Sequence, residues 1–383
     1  MAHTILTTHA GSLPRPKALA SAHARQFAGQ QSEDEAFEQL VADATRAVVR
    51  KQVETGLDRI NNGEVGRERF FTYVRHRMTG FVGAGSRPPM RDMVKYPDFL
   101  AYLLKTAFHE EAVSLGNPPE AVGGVTYPST DAIDAECEQL LDALKDHGRS
   151  PETAFVSSPS PGIVAAAMKN RHYPGLYDYI DAVADALRTE YGAILGHGFD
   201  LQIDAPDLAM ERHTLFADKP LEDFLAFVKH VAASINRVLA DAPTGRVRLH
   251  VCWGNYEGPH DEDVPLEAIW PEIRQIKAGK VLVSMANPRH EHEYRLFSDG
   301  RLGSDVTLVA GVIDTTTNYI EHPDAVAERI LRIVDAVGDP SRVMAGTDCG
   351  FETSAGFGSV VEDVVWAKLR ALVEGARRAS ARL

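Results

Sequence analysis

The stretch RVRLHVCWGN, residues 246–255, decides the fold class and also carries the chemistry. Val247, Leu249 and Val251 alternate with Arg248, His250 and Cys252, and a Gly-Asn pair follows, which is the pattern of a strand ending in a turn. His250 and Cys252 are two residues apart, so on a strand they share a face. Further along, a second apolar run, RVMAGTD (342–348), leads straight into Cys349 of DCGFETSAG. One imidazole and two thiolates delivered from two strand ends make a Cys/Cys/His ligand set of the kind that holds zinc and leaves a fourth position for water or substrate. A thiol bound there loses its proton at neutral pH, so the set points to thiol activation. The competing reading is a buried structural histidine and two inert core cysteines.

Around that stretch the chain alternates short apolar runs with longer helical periodicities, the mark of βα units and a parallel sheet. Eight candidate strands cover residues 4–10, 57–63, 153–158, 200–204, 246–252, 280–286, 306–313 and 342–348. Helical patterns occupy 33–55, 176–197, 219–240, 265–278, 323–337 and 358–379, with Ser32 as a cap for the first. Eight such units predict a (β/α)8 TIM barrel in one domain spanning 1–383, with an active site at the carboxyl ends of the strands. Residues 66–150 break the rhythm. They hold GAGSRPPMRDMVKYPDF and GNPPEAVGGVTYPST, rich in Gly and Pro, and are read as an insertion after the second strand, a hairpin or helical lid in which GGVTYPS is extended.

The 383 residues are 44% hydrophobic and 25% charged, an ordinary globular composition, and the net charge of -14 leaves no basic stripe for nucleic acid or an anionic membrane. The start, MAHTILTTHAGS, has no signal-peptide pattern and no apolar run approaches membrane-spanning length, so the expectation is a cytoplasmic protein. Three cysteines do not make a disulfide framework; Cys137, in a helical stretch, reads as packing.

Several polar residues stand at the ends of candidate strands, where a barrel assembles its chemistry. Ser12 lies in TTHAGSLPRP, a stiff Gly-Ser turn able to offer N–H groups and a hydroxyl to a small carboxylate. Glu64 lies in NNGEVGRERF, and Asp204 in LQIDAPDLAM, where a carboxylate suits an amino group; a salt-bridged surface and a helix cap are the plainer readings. ANPRHEHEY (286–294) brings His290 and Glu291 after the sixth strand, as metal ligand, acid or base, or charged helix start. His322, at a helix start near Asp314 and Thr316, could donate a proton to a leaving group or serve only structure.

Together TTHAGSLPRP, NNGEVGRERF, LQIDAPDLA, LHVCWGN and TDCGFETSAG resemble the catalytic, carboxy-terminal barrel of cobalamin-independent methionine synthase across nearly the whole chain. The resemblance implies zinc on His250, Cys252 and Cys349, methyl transfer to the zinc-bound thiolate of homocysteine, Ser12 at the substrate carboxylate, and Glu64 and Asp204 at its amino group. It departs in two places. Where the synthases supply a fourth ligand, a glutamate, this chain reads VLVSMANPRHEHE, with Ser284 and Met285 at that point; either Glu291 or His290 substitutes, or zinc keeps three protein ligands and a more open position. Where they carry a tryptophan-containing segment for folate, this chain has SSPSPGIVAAAMKNRHYPG, and Thr316 lies nearest to their catalytic histidine, so the resemblance does not extend to folate as donor. Short relatives include epoxyalkane:coenzyme M transferases, in which zinc activates a sulfonated thiol to open an epoxide; His322, His290 or Tyr173 would then protonate the alkoxide. The implied partners are a small thiol, homocysteine or coenzyme M, and an alkyl donor, with a homo-oligomer left open. Rival readings from other classes are a metal-free barrel that binds a small ligand, and a protein with a closed structural zinc site.

Overall fold

The computed structural model describes residues 3–30, 34–106, 113 and 117–383. Six parallel strands form the central sheet in chain order: β1 Phe155–Pro159, β2 Asp200–Asp204, β3 Val247–Val251, β4 Lys280–Val283, β5 Thr307–Ile313 and β6 Val343–Thr347. All but two of their residues are buried, because helices cover one face and the interior closes over the other. The covering helices include α1 Asp34–Thr55, α2 Asp131–Lys145, α3 Leu176–Gly196, α4 Leu221–Val238, α5 Leu266–Ile273, α6 Pro323–Val337 and α7 Glu362–Ser380. In α6, Val326, Ala327, Ile330, Ile333 and Val334 fall on one stripe at helical spacing and pack inward.

The two amino-terminal candidate strands are shorter than their apolar pattern suggests. Thr7 bridges Ala345 of β6 and Ile60 bridges Ala154, the residue before β1, each as a single parallel pair. The reason is local: polar side chains take over the ladder's donors and acceptors. The Asp58 carboxylate accepts from Thr7 N at 2.7 Å and Thr7 Oγ1 at 2.8 Å, while Gln52 of α1 accepts from Asn61 N at 3.0 Å and donates to Asn61 O at 2.7 Å. Both segments still tie the sheet edges. Ala345 N donates to Leu6 O at 2.9 Å, Arg59 N to Thr7 O at 3.0 Å and Phe155 N to Ile60 O at 3.0 Å.

Between β1 and α3 and ahead of β1 the chain departs from plain βα rhythm. Residues 66–150 hold a two-residue antiparallel pair, Phe81–Val82 with Glu120–Ala121, two short helices, Arg91–Lys95 and Pro97–Thr106, and then α2. The GGVTYPS stretch, 123–129, is in no strand; the paired residues lie just before it. The α2 helix packs between α1 and α3 and so belongs to the covering layer. The Ser32 cap lies outside the described residues. Among the described residues, no helix is long and apolar enough to cross a membrane.

Arg248, fully buried on β3, fastens the amino-terminal segment from inside. Its guanidinium lies 3.8 Å from the Phe155 ring and donates to Thr8 Oγ1 at 3.2 Å and His9 O at 3.1 Å. Replacing it with alanine removes packing and leaves those acceptors unpaired. Arg248→Ala is expected to destabilise the fold by about 2–4 kcal/mol, read as a lower urea-unfolding midpoint; an unchanged midpoint would mean that residues 7–9 are held without it.

Candidate metal centre

The register of β2 and β3 sets the centre. Asp204 is paired with His250, and the Ala205 amide donates to the His250 carbonyl at 2.8 Å, so the Asp204 and His250 side chains emerge side by side. His250 Nδ1 is 2.9 Å from Asp204 Oδ1, which fixes the ring and leaves Nε2 as the ligand nitrogen, the usual support of a metal-bound imidazole. Asp204 Oδ1 also accepts from Gln202 Nε2 at 2.9 Å. Cys252 stands one residue past β3, on the same side as His250, as period-two spacing requires.

Cys349 arrives from the loop after β6. That loop is pinned at four points: Thr347 Oγ1 donates to Cys349 O at 2.8 Å, Ala10 N to Thr347 Oγ1 at 3.1 Å, Asn255 Nδ2 to Gly350 O at 2.8 Å, and Phe351 N to Ser12 O at 2.8 Å. Asp348 anchors it more deeply. Its carboxylate accepts from the amides of Met285 and Ala286 at 2.8 Å, from Asn287 N at 2.9 Å and from Asn287 Nδ2 at 2.9 Å, beyond the end of β4. It reaches there past Gly311 on the intervening strand β5, where an added methyl would run into Asp348 Oδ1 and lie 3.0 Å from Val283 O.

His250, Cys252 and Cys349 are all buried, and one ligand atom from each lies within 4.8 Å of the others. The two sulfurs are 3.9 Å apart. A tetrahedral site with zinc–sulfur bonds of about 2.3 Å separates its sulfurs by roughly 3.8 Å, whereas a disulfide holds them at about 2.05 Å. The donor set, its spacing and the carboxylate behind His250 therefore fit zinc. A hydrogen bond from Cys349 pulls the Cys252 thiol down, against burial and with help from His250, and the same contact together with burial pushes Cys349 up. Burial opposes charge on His250, but Cys252 and Asp204 raise it to about 10. The pair thus favours one thiolate beside an imidazolium, the protons of which a cation would displace. Among the described residues no fourth His, Cys, Asp or Glu joins this group. Glu291 is exposed, and the Ser284 hydroxyl donates to Asp348 O at 2.8 Å.

The other expected residues divide. Ser12 is buried against Gly350, next to Cys349. Glu64 is buried in a left-handed backbone conformation, φ 55°, its carbonyl held by Arg15 Nη2 at 2.8 Å. Its Oε1 accepts from Ser157 Oγ at 2.7 Å and crowds against Gly11; its Oε2 is buried with no hydrogen-bond partner. Burial, followed by repulsion from Asp204, raises the Glu64 carboxyl to about 7. Ser12, Glu64, Asp204 and the three ligand residues therefore share one end of the sheet. His322 does not reach it: the residue caps α6, accepting from Asp324 N at 3.2 Å, with its side chain 71% exposed. Its direction follows from α6, which packs its opposite stripe inward. His290 lines the cavity beside Cys349 but its ring is engaged, stacked on Trp253 with centroids 3.7 Å apart, its Nε2 2.8 Å from Asp263 Oδ2 and its Nδ1 enclosed. The Tyr173 hydroxyl is taken by Val125 N at 2.7 Å.

A cavity of about 420 Å³ opens beside Cys349, walled by Trp253, Tyr256, Asn287, Asp314 and Thr316. Asp348 and Asn255, which line this cavity, were not singled out from sequence, although both lie in loops directly after strands.

The fold and site together define a parallel α/β protein with a thiolate and imidazole ligand set at the carboxyl end of its sheet. No protein-family profile matches the chain. It is 23% identical over 376 residues to a methionine synthase of Saccharolobus solfataricus, covering 97% of this chain and 93% of that protein. It is 25% identical over 410 residues to 2-hydroxypropyl-CoM lyase of Xanthobacter autotrophicus, covering 99% and 96%. Among solved structures, a B12-independent methionine synthase from Shewanella sp. W3-18-1 in complex with selenomethionine shares the fold, with a TM-score of 0.76, 18% identity and 99% of both chains covered. Over nearly its whole length the chain is thus similar to methionine synthases and to a 2-hydroxypropyl-CoM lyase, and it shares the fold of a B12-independent methionine synthase.

Two outcomes test this geometry. Gly311→Ala is expected to displace Asp348, lowering the thermal midpoint by several degrees and weakening zinc binding by at least about tenfold; retained affinity would separate Asp348 from the placement of Cys349. For Glu64, a folded pKa above the unfolded value means that its charge opposes folding as pH rises from the unfolded pKa toward 7. In ligand-free protein Glu64→Gln should therefore raise the thermal midpoint at pH 8 and change it little at pH 5; equal midpoints at pH 8 would refute the buried charge.

Proposed function

We propose that the protein is a zinc-dependent thiol alkyltransferase, an enzyme of the cytoplasm that transfers a methyl group to the thiolate of homocysteine. We read it as one (β/α)8 barrel domain, 1–383, with 66–150 inserted, because hydrogen bonds lead from β6 through residues 6–8 and 59–60 back to β1. The observation that carries the function is the meeting of His250, Cys252 and Cys349, with sulfurs 3.9 Å apart and a carboxylate behind the imidazole.

Zinc, when bound, keeps the substrate thiol as a thiolate at neutral pH, a Lewis-acid activation of the nucleophile. The chain's own residues do the rest. Asp204 fixes the His250 tautomer. Glu64 Oε2, buried and unpaired, receives the ammonium group and is deprotonated by pairing with it. Ser12 and the turn around Gly11 hold the carboxylate, and the donor enters through the cavity beside Cys349, past Thr316 and Asn287. Holding the sulfur in line with the alkyl carbon accounts for several kcal/mol of barrier reduction.

One observation favours a second reading. Asp204 Oδ1 is taken by His250 and Gln202, which leaves Glu64 as the main amine contact, and coenzyme M, with a sulfonate and no amine, places no demand on Asp204. The alternative is opening of an epoxide by a zinc-bound coenzyme M thiolate.

The test is consumption of homocysteine against coenzyme M by zinc-loaded protein, each with a panel of methyl donors and epoxides. Alkylation of homocysteine is expected, with loss of at least about a hundredfold in Glu64→Gln. Cys252→Ala and Cys349→Ala should each remove the thiolate-bound zinc and the activity while the circular dichroism is retained. Consumption of coenzyme M alone selects the second reading; a zinc-loaded protein that alkylates neither thiol overturns both.

A further inference from the structure

The loops after β3 and β4 carry a second group of ligand-type side chains that thiol activation does not use. His260, Asp263 and His290 offer ligand atoms that all lie within 4.8 Å of one another. The Asp263 carboxylate is the centre: Oδ2 is 2.8 Å from His260 Nδ1 and 2.8 Å from His290 Nε2, and Oδ1 is 3.4 Å from His213 Nε2. Each ring has an oxygen on its outer side, at hydrogen-bond distance for His260 alone. His260 Nε2 is 3.0 Å from the Tyr256 carbonyl, His290 Nδ1 is 3.7 Å from Glu293 Oε1 and His213 Nδ1 is 3.5 Å from Asp92 Oδ1. The inner nitrogens of His260 and His290 donate to the Asp263 carboxylate, and a cation binding here would take the place of those protons, as at metal-bound histidines.

Hydrogen bonding within the protein satisfies His260 and Asp263 Oδ2 but not the rest of this group. Both nitrogens of His213, His290 Nδ1 and Asp263 Oδ1 are buried without a hydrogen-bond partner, and the side chains of His213 and Asp263 are each 1% exposed. Buried polar atoms left this way are uncommon and call for an unseen partner. Asp92, the neighbouring carboxylate, is occupied by the Tyr256 hydroxyl and the His260 amide, so Asp263 is the carboxylate left to meet a cation. Nitrogen and carboxylate donors without sulfur suit a divalent transition cation, and the buried Asp263 carboxylate offsets part of its charge.

We propose that His260, Asp263 and His290, with His213 beside them, form a second site for a divalent transition cation, separate from the cysteine ligand set. The cation cross-links the loop 256–263 to the segment 287–293 at the cavity wall. His290 stacks on Trp253, the residue after Cys252, so occupancy also stiffens the chain next to the thiolate site. This site does not depend on the alkyltransferase reading.

The test is metal content of the full chain equilibrated with zinc and desalted, with cobalt absorption as a second readout, since thiolate-to-cobalt charge transfer arises only at the cysteine site. Wild type is expected to hold about two zinc ions per chain. The double variant Cys252→Ala/Cys349→Ala should keep one and lose the charge-transfer band, while Asp263→Ala should keep the other with the band intact. His260→Gln, at the less buried edge, gives the same readout should Asp263→Ala fail to fold. A folded double cysteine variant that binds no zinc, or an Asp263 or His260 variant that retains two, overturns the second site. A single metal lost in Asp263→Ala and kept without the cysteines would uphold this site and overturn the thiolate centre.

Discussion

The centre depends on one carboxylate crossing a strand. Asp348 leaves β6, passes Gly311 of β5 and collects four N–H donors from residues 285–287 beyond β4, so three strands are joined at their carboxyl ends by a single side chain. That span holds only because Gly311 has no side chain in its path. Cys349 is the next residue after Asp348, and its position is thereby set by the sheet rather than by a mobile loop. A carboxylate this well supplied with donors has no reason to bind a cation, which is why it anchors the ligand set without joining it.

Asp204 and Glu64 show how a shared end of a sheet divides labour between carboxylates. Both are buried and repel one another, yet Asp204 is neutralised in effect by His250 and Gln202, and Glu64 keeps an oxygen unpaired. An incoming cation relieves Glu64 first, because Asp204 already has partners to lose. On the proposed function the amine contact of the pair falls mainly on Glu64, and Asp204 acts through His250 on the metal side.

His250, Cys252 and Cys349 were legible in the sequence because period-two spacing and strand ends are local properties, and the six central strands and their helices followed from the same periodicities. What was not legible came from direction and competition. Whether a helix-start histidine such as His322 faces a pocket or solvent depends on which stripe of α6 is buried, and both orientations leave the same cap sequence. The strands at 4–10 and 57–63 shrink to single bridges because Asp58 and Gln52 side chains take the backbone partners, a contest that apolar pattern does not register. His260 and Asp263 sit within a dozen residues of Cys252, but a His-x-x-Asp in a polar loop has no meaning until His290 and His213 are seen to converge on it.

The two sides of the pocket are built from different material, and this bears on how chemistry varies over such a scaffold. The thiol side rests on strand residues and their immediate successors, whose positions follow the sheet register. The donor side, from Trp253 to Tyr256 and from Asp314 to Thr316, is loop, cross-braced by side chains: Thr315 Oγ1 donates to Asn255 Oδ1 at 2.9 Å and Asp314 Oδ1 accepts from Thr316 N at 2.6 Å. On the proposed function, substitutions there alter the electrophile's surroundings without moving the sulfurs, whereas changes at Asp348 or Gly311 move Cys349 itself. Relatives at about a quarter identity that carry names as different as methionine synthase and 2-hydroxypropyl-CoM lyase are what such a division allows, since loops can drift over a fixed sheet end.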